Sequence, residues 1–109
     1  MALDPVVVAS ISEWAARYPR IRRVVLFGSL ARGDGHQHSD HDFAFDIEPR
    51  NRSTPREHFR GWGSEWREEL EAIVGTSVSV ELIESDPEPV DLDLQASIAR
   101  DGVVIYEAS

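Results

Sequence analysis

The sequence predicts an α/β domain, because segments typical of strands alternate along it with segments of helical periodicity. Residues 22–27, two arginines followed by four apolar residues, read as a strand entering the core. In residues 78–83 Val78, Val80 and Leu82 occupy alternate positions, which is the pattern of a strand with one apolar face. Between these strands, residues 59–73 carry apolar side chains at three- and four-residue steps, as an amphipathic helix does. Since no repeat or linker interrupts the pattern, we expect residues 1–109 to form one domain.

Capping residues mark the two longest predicted helices. Asp4 followed by Pro5 predicts the start of a first helix, which Pro19 is expected to end. Thr54 and Glu57 have the spacing of a capping box and open a long helix that a glycine at position 75 closes. Its apolar stripe predicts five core residues, namely Phe59, Trp62, Trp66, Leu70 and Ile73.

The remaining elements follow from shorter patterns. Residues 40–46 read as a second strand and residues 91–100 as a short helix. Residues 103–106 form a final apolar strand. With these elements the alternation of strands and helices extends to the end of the chain.

The segment after the first strand has features that suit a phosphate. Residues 29–33 read as a short helical turn ended by glycine, so Gly28 and Ser29 lie at a helix N-terminus. Backbone N–H groups there lack partners and the helix dipole is positive, which favours an anion. The Ser29 hydroxyl adds a further donor.

A pair of carboxylates follows one loop later. Asp40 and Asp42 are two residues apart on a predicted strand, so their side chains share a face. Adjacent carboxylates without a basic partner repel each other, and a divalent cation such as Mg²⁺ relieves the repulsion. An isolated Asp-x-Asp is more often a turn and strand start, and the preceding Gly-Ser element shifts the interpretation to metal ligands. A phosphate cradle facing such a pair is the layout that nucleotidyl or phosphoryl transfer requires.

Residues 26–33 together with residues 39–42 resemble the minimal nucleotidyltransferases of the DNA polymerase β-like superfamily. Residues 99–106 also resemble the last helix, turn and strand of that family. The resemblance implies a small mixed β-sheet flanked by helices. It also implies a transferase that uses two Mg²⁺ ions and moves AMP from ATP to an acceptor hydroxyl. Many such proteins are antitoxins encoded beside an all-helical HEPN-domain toxin, which makes a tyrosine hydroxyl of that partner the expected acceptor.

In this family an aspartate on the strand after the long helix completes the metal site. The sequence has Glu81 at that place, and an alternative register places Ser79 there instead. Asp46 shares a face with Asp42 but lies about 13 Å further along the strand, too far for one metal pair. For Arg32 two interpretations stay open, a guanidinium that pairs with a nucleotide phosphate and an ordinary surface arginine.

The composition limits the kinds of partner. With 20 acidic and 11 basic residues the formal charge is −9, which argues against extended binding to nucleic acid and would attract a basic protein. The alternative is that the acidic excess is a solvated surface. The chain has no cysteine. A zinc site built from His36, His38, His41 and His58 is not favoured, because their neighbourhood offers no second ligand cluster.

The chain shows neither a signal-peptide pattern nor a membrane-length apolar run, so we expect a soluble cytoplasmic protein. It also leaves no room for a second lobe that would grip the acceptor. Acceptor recognition is therefore expected from a partner chain, a dimer mate or the acceptor itself. A second hypothesis is a non-catalytic binding module that neutralises a helical HEPN-type partner by occlusion.

Overall fold

The structure, a computed structural model, describes residues 3–32 and 40–109. Helices and strands follow one another in the order α1 (Pro5–Ala16), β1 (Ile21–Phe27), α2 (Gly28–Arg32), β2 (His41–Ile47), α3 (Pro55–Val74), β3 (Val78–Leu82), α4 (Leu92–Asp101) and β4 (Val103–Glu107). A 3-10 turn, Pro89–Asp91, leads directly into α4. The alternation of the two element types confirms the predicted α/β class.

The strands form one mixed sheet of four strands in the order β3-β2-β1-β4. β1 is antiparallel to both β2 and β4, whereas β2 and β3 are parallel. In the register of the three adjoining strands, Phe27 lies opposite Asp42, and Asp42 lies opposite Ser79. This arrangement confirms the expectation of a small mixed sheet flanked by helices.

The two faces of the sheet are covered unequally. One face packs against α1 and α3 and holds the main core, whose fully buried members include Ile11, Val24, Leu26, Phe43, Phe45, Trp66 and Leu70. The other face is covered by α4 above a smaller cluster of Val25, Phe27, Ala44 and Ile98. Successive side chains of a strand point to opposite faces, so Asp42, two residues before Ala44, belongs to the α4 face.

The predicted helix ends are largely confirmed. The Asp4 carboxylate accepts a hydrogen bond from the backbone N–H of Val6 at 2.8 Å, and the capping box at Thr54 is complete. α1 ends at Ala16, three residues before the predicted stop at Pro19. The chain tightens there, because the backbone N–H groups of residues 17 and 18 bond to carbonyls three residues earlier.

The apolar stripe of α3 is confirmed in part. Trp66 and Leu70 are fully buried, and Phe59 and Ile73 pack against the core with partial exposure. The assignment of Trp62 to the core was wrong, since its side chain is 40% exposed. Its ring packs edge-on against Tyr18, two residues beyond the end of α1, at a centroid distance of 5.7 Å.

A buried arginine ties together the end of the sheet that is remote from Asp42. Arg20 is 8% exposed and donates from Nε to the Glu48 carbonyl at 3.0 Å. Its Nη1 donates to the Ser53 hydroxyl at 2.7 Å and lies 3.2 Å from Nδ1 of His58. The guanidinium therefore links the turn after α1 to the loop after β2 and to α3.

Within the described parts of the chain, no helix has the length and apolar character needed to cross a bilayer.

Candidate functional site

The antiparallel register of β1 and β2 brings Gly28 and Asp42 into contact. Gly28 follows the last residue of β1 and has a φ of +78°, a left-handed conformation that suits glycine. A Cβ atom at this position would lie 2.3 Å from Oδ2 of Asp42. The carboxylate thus occupies the space that any other side chain at position 28 would fill. The predicted phosphate cradle and the predicted metal pair adjoin each other at this point.

Asp40 and Asp42 are electrostatically coupled, although only one of them lies in the strand. The sequence predicts a strand that begins at Asp40. In the structure β2 begins at His41, and Asp40 is the exposed residue directly before the strand. Burial raises the pKa of the Asp42 carboxyl, and the negative charge of Asp40 raises it further. The positive charges of His41 and Arg32 act in the opposite direction without cancelling this effect.

The parallel register of β2 and β3 shows where Ser79 and Glu81, the two candidates for the third ligand, lie relative to Asp42. Ser79 lies directly opposite Asp42, and Glu81 lies opposite Ala44. Glu81 is therefore on the Asp42 face, a strand step of about 6.6 Å beyond the position opposite Asp42. Burial raises the pKa of Glu81, and the charges of Asp91 and Asp42 raise it further. Glu81 and Asp42 therefore share one electrostatic environment.

Arg32, the last residue of α2, lies between the site and α4. Its Nη1 is 3.5 Å from Oδ2 of Asp101 at the end of α4, and its side chain is 41% exposed. Its charge also reaches Asp42, whose pKa it lowers. Arg32 thus ties α2 to α4 while remaining beside the site.

Some predicted features lie outside what the structure describes. Ser29 belongs to the first turn of α2, and its role as a phosphate donor stays a prediction. Gly33, which was expected to end that turn, and both His36 and His38 lie outside the described residues. His41 stacks on Phe43 at a centroid distance of 6.3 Å, which agrees with its expected packing role on the opposite face.

The chemistry of the carboxylates fits a divalent cation. Within residues 3–32 and 40–109, no group of three or more His, Cys, Asp or Glu side chains is placed to hold a metal ion. Mg²⁺ retains several waters and commonly takes only one or two protein carboxylates together with substrate phosphates. Asp40 and Asp42 supply oxygen ligands of that kind, and a cation beside them would relieve their mutual repulsion.

Asp46, the alternative carboxylate on β2, has a different environment. Its two oxygens pair with Arg22 at 3.1 Å and with Arg23 at 3.0 Å. These arginines compensate its charge, which agrees with the interpretation that it does not belong to the metal pair.

Sequence reasoning missed two acidic residues near the candidate site. Asp91 lies close enough to Glu81 for its charge to raise the pKa of Glu81, and Asp101 pairs with Arg32. Both contacts depend on how the 3-10 turn and α4 pack on the sheet. No local pattern in the sequence signals them, apart from the position of Asp101 directly after a predicted helix.

Comparison with known proteins gives a family and a set of similar folds. The family described as "Polymerase beta, Nucleotidyltransferase" matches residues 9–109. The crystal structure of a toxin-antitoxin with AMP-PNP superposes with a TM-score of 0.65 at 17% identity, over 98% of this chain and 76% of that chain. A mutant of the toxin-antitoxin MntA-HpeT gives a TM-score of 0.65 at 16% identity, with the same coverage of 98% and 76%. A second MntA-HpeT mutant gives 0.63 at 19% identity, over 98% and 75%. At these identities the likeness establishes the fold. A search of curated protein sequences found no match.

Proposed function

The chain belongs to the polymerase beta nucleotidyltransferase family, and from this premise we propose that it is a Mg²⁺-dependent enzyme that transfers AMP from ATP to an acceptor hydroxyl. The observation that carries the proposal is the contact between Gly28 and Asp42. A backbone without a side chain and a carboxylate adjoin at the place where the family motif was identified. Phosphates and their cation would therefore meet two suitable neighbours at one point.

Asp40 and Asp42 would be the principal ligands of the metal. The structure does not group Glu81 with them as a set of three, so Glu81 would act as the third ligand only after its side chain moves toward the pair. When bound, Mg²⁺ would neutralise phosphate charge and stabilise the attacking and leaving oxygens. The raised pKa of Asp42 supports this assignment, because it reflects negative charge and burial that a cation offsets.

The other residues would bind and orient the nucleotide. Gly28 and Ser29 would hold the distal phosphates, and Arg32 would pair with a phosphate through its guanidinium. The acceptor oxygen would attack the α-phosphorus, and the bond from that phosphorus to pyrophosphate would break. Glu81 would take the acceptor's proton, and its raised pKa makes its carboxylate a stronger base for this step.

The proposed acceptor is a tyrosine hydroxyl on a helical HEPN-type toxin, which the modification would silence. Support comes from the structural neighbours, which are toxin-antitoxin proteins, one of them with AMP-PNP. In this proposal residues 1–109 act as a single domain in the cytoplasm, and the partner supplies part of the acceptor recognition.

A second candidate function is occlusion of the partner without catalysis. Glu81 favours it, because a longer side chain stands where the family has aspartate. The register also places Glu81 opposite Ala44 and not opposite Asp42. In that case the domain would neutralise its partner by binding alone.

Intact-mass measurement of a co-expressed partner tests the proposal. The probe is the protein encoded in the adjacent reading frame, mixed with the purified domain, ATP and Mg²⁺. We expect a mass increase of one or more adenylyl groups. In Glu81→Gln, nucleotide binding should persist while transfer falls by roughly 10²–10⁴-fold, as for loss of a positioned base.

Two matched variants sharpen the measurement. Glu81→Asp restores the family's residue and should keep appreciable activity. Glu84→Gln changes a nearby glutamate that is bonded to Arg56, and should leave the transfer rate unaffected. A partner that is neutralised but unmodified would favour occlusion and contradict the enzymatic proposal for that partner. An unchanged rate in Glu81→Gln would contradict only the role of that residue.

A further inference from the structure

The turn from α4 into β4 lies directly on the sheet. Gly102, between the two elements, donates from its backbone N–H to the Ile98 carbonyl at 2.9 Å. A Cβ atom at position 102 would lie 2.4 Å from that carbonyl oxygen and 2.6 Å from Cγ1 of Val25 in β1. Because a side chain would not fit there, glycine allows the end of α4 to pack against β1. Val25 precedes Gly28 by three residues, so the end of α4 is held close to the end of β1 at which α2 begins.

Asp101, the last residue of α4, carries a carboxylate that contacts α2. Its Oδ2 lies 3.5 Å from Nη1 of Arg32 and 3.1 Å from Nη2 of Arg100. The Asp101 side chain is 13% exposed, whereas those of Arg32 and Arg100 are 41% and 69% exposed. The carboxylate is therefore the most enclosed member of this group of three. The negative end of the α4 dipole attracts the same two guanidiniums.

Arg32 lies beside the candidate site because of the helix to which it belongs. It is the last residue of α2, and the first residue of that helix, Gly28, contacts Asp42. Four residues of α-helix advance by about 6 Å, so the backbone of Arg32 lies about one helical turn from this contact. A guanidinium has five N–H donors, and it can bond to a carboxylate with one edge and to a phosphate with another. Arg32 can therefore bond to a nucleotide phosphate while it remains paired with Asp101.

A carboxylate beside such an arginine has two opposing effects on phosphate binding. An arginine loses rotamer freedom when it binds a phosphate, and a partner that already holds the side chain reduces this loss. The same carboxylate also repels the phosphate. In this structure two guanidiniums compensate the charge of Asp101, which weakens the repulsion and leaves the ordering of Arg32 as the larger effect.

We propose that Asp101 is a positioning residue for nucleotide binding, which holds the Arg32 guanidinium where a phosphate of ATP binds. The inference rests on the proposed function, because it deepens the role proposed there for Arg32. It also gives a role to residues 99–106, the helix end, turn and strand that carry part of the family resemblance. Neither the phosphate cradle nor the carboxylate pair uses this segment.

Calorimetric titration with ATP in the presence of Mg²⁺ tests the inference. Arg32→Gln should weaken ATP binding by about tenfold or more, because it removes a charge-assisted contact to a phosphate. Asp101→Asn keeps the shape of the side chain but removes its charge, and it should weaken ATP binding by about three- to tenfold. Asp101→Glu keeps a carboxylate at the end of α4 and should bind ATP nearly as tightly as the wild type. In transfer assays, Asp101→Asn should raise KM for ATP and leave kcat within about twofold.

A double-mutant cycle separates positioning from a merely structural role. In the Arg32→Gln background, Asp101→Asn should cause no further loss of ATP affinity, because the side chain that Asp101 positions is gone. A structural role would give the same loss in both backgrounds.

Two control variants change charges close to Asp101 in sequence or in helix. Asp93→Asn removes the same charge from an exposed residue in the first turn of α4, about 12 Å away along the helix axis. Arg100→Gln removes the other partner of Asp101 and leaves its contact with Arg32 in place. Both variants should bind ATP like the wild type.

The titrations distinguish failure of this inference from failure of the proposed function. A wild type that binds no ATP would contradict the proposed function, and the inference with it. Equal ATP affinity in the wild type and Asp101→Asn would overturn the inference alone, and so would additive losses in the double-mutant cycle. Tighter ATP binding by Asp101→Asn would also overturn it, because Asp101 would then compete with the phosphates for Arg32.

Discussion

Asp42 and Asp46 lie on the same face of the same strand, and their surroundings are opposite in charge. Asp46, at the carboxyl end of β2, is held by Arg22 and Arg23. Asp42 lies at the amino end of β2, where the negative charge of Asp40 raises its pKa. The charge of Asp42 in turn raises the pKa of Glu81 on the neighbouring strand β3. The negative charge of Asp46 is thus compensated by two arginines, whereas Asp42, four positions earlier, lies beside another negative charge.

The difference separates a carboxylate with a structural role from one suited to a ligand. A compensated carboxylate has its partners already, and exposed pairs of this kind contribute on the order of 1 kcal/mol or less. A partly buried carboxylate such as Asp42 that faces like charge costs folding free energy, and a bound cation can offset that cost. The comparison therefore points to the amino end of β2 as the place where a metal and phosphates would bind.

The largest expected effect is the loss of nucleotide binding when Asp42 is replaced, with the same replacement at Asp46 as the comparison. Asp42→Asn should weaken Mg²⁺-dependent binding of ATP by at least about 100-fold, because it removes a direct ligand, whereas loss of an outer partner costs about 10–100-fold. Asp46→Asn is the matched control, and it should retain nucleotide binding while losing up to about 1 kcal/mol of stability. Calorimetric titration and chemical denaturation measure the two quantities. Equal nucleotide affinity in the two variants would remove Asp42 from the site.

A smaller effect is expected from a single methyl group at Gly28. Gly28→Ala places a Cβ atom against Oδ2 of Asp42 and should weaken nucleotide binding by about tenfold or more, besides costing roughly 1–2 kcal/mol for the left-handed backbone. Gly75→Ala is the control, since Gly75 has a φ of +86° and no atom within 4 Å of the added Cβ. It should lose similar stability and keep full nucleotide affinity. If both variants bind ATP equally well, the contact at Gly28 has no role in binding.

At the end of the sheet that holds Arg20 and His58, the surrounding charge is positive, and we expect it to appear in how the stability of the fold depends on pH. Burial lowers the pKa of His58, and the charges of Arg20 and Arg50 lower it further. Because the folded pKa is below the unfolded one, the unfolded state binds more protons, and stability falls as pH falls from about 7 to about 5. The loss should stay under about 1 kcal/mol, since the ring is partly exposed. His58→Gln should flatten this part of the profile, and an unchanged slope would contradict the assignment.

The smallest effect concerns Asp42 without metal. The pKa of the Asp42 carboxyl is higher in the folded state than in the unfolded state, so the folded state binds the proton more tightly. The free energy of unfolding therefore decreases as the pH rises above about 4, the ordinary pKa of an aspartate. Asp42→Asn should therefore melt slightly higher than the wild type at neutral pH, by about 1–3 °C, and lose this advantage at acidic pH. Added Mg²⁺ should raise the melting temperature of the wild type only. A variant that melts lower at every pH would show that Asp42 stabilises the fold.

Local signals predicted the elements of the fold well. The caps at Asp4 and Thr54 and the apolar alternation in β3 depend on neighbours in sequence, and the structure bears them out. Burial at the edges of elements was harder to predict. Trp62 has the spacing of a core residue, yet it packs against Tyr18, just beyond the end of α1. Arg20 is buried because its partners come from two segments that are distant from it in sequence, the loop after β2 and α3.

The candidate site was predictable as far as its motif extends. Gly28 and Asp42 were placed together by a resemblance and by strand periodicity, and their contact agrees with that prediction. The strand register that sets Ser79 against Asp42, and the approach of Asp91 to Glu81, depend on the packing of β3 and α4. Such contacts between distant segments leave no periodic trace in the sequence.

The mixed topology of the sheet also sets the order in which the site can assemble. Gly28 and Asp42 meet through an antiparallel pair that closes over one connecting segment, whereas Glu81 joins them only after the 20-residue α3 has crossed the sheet and β3 has paired in parallel. Closing the longer segment costs more chain entropy, so long-range parallel pairing is intrinsically slow. We therefore expect the half that contains Gly28 and Asp42 to form early in folding and the half that contains Glu81 to form late. Loosening of α3 in the folded protein would separate the same two halves again.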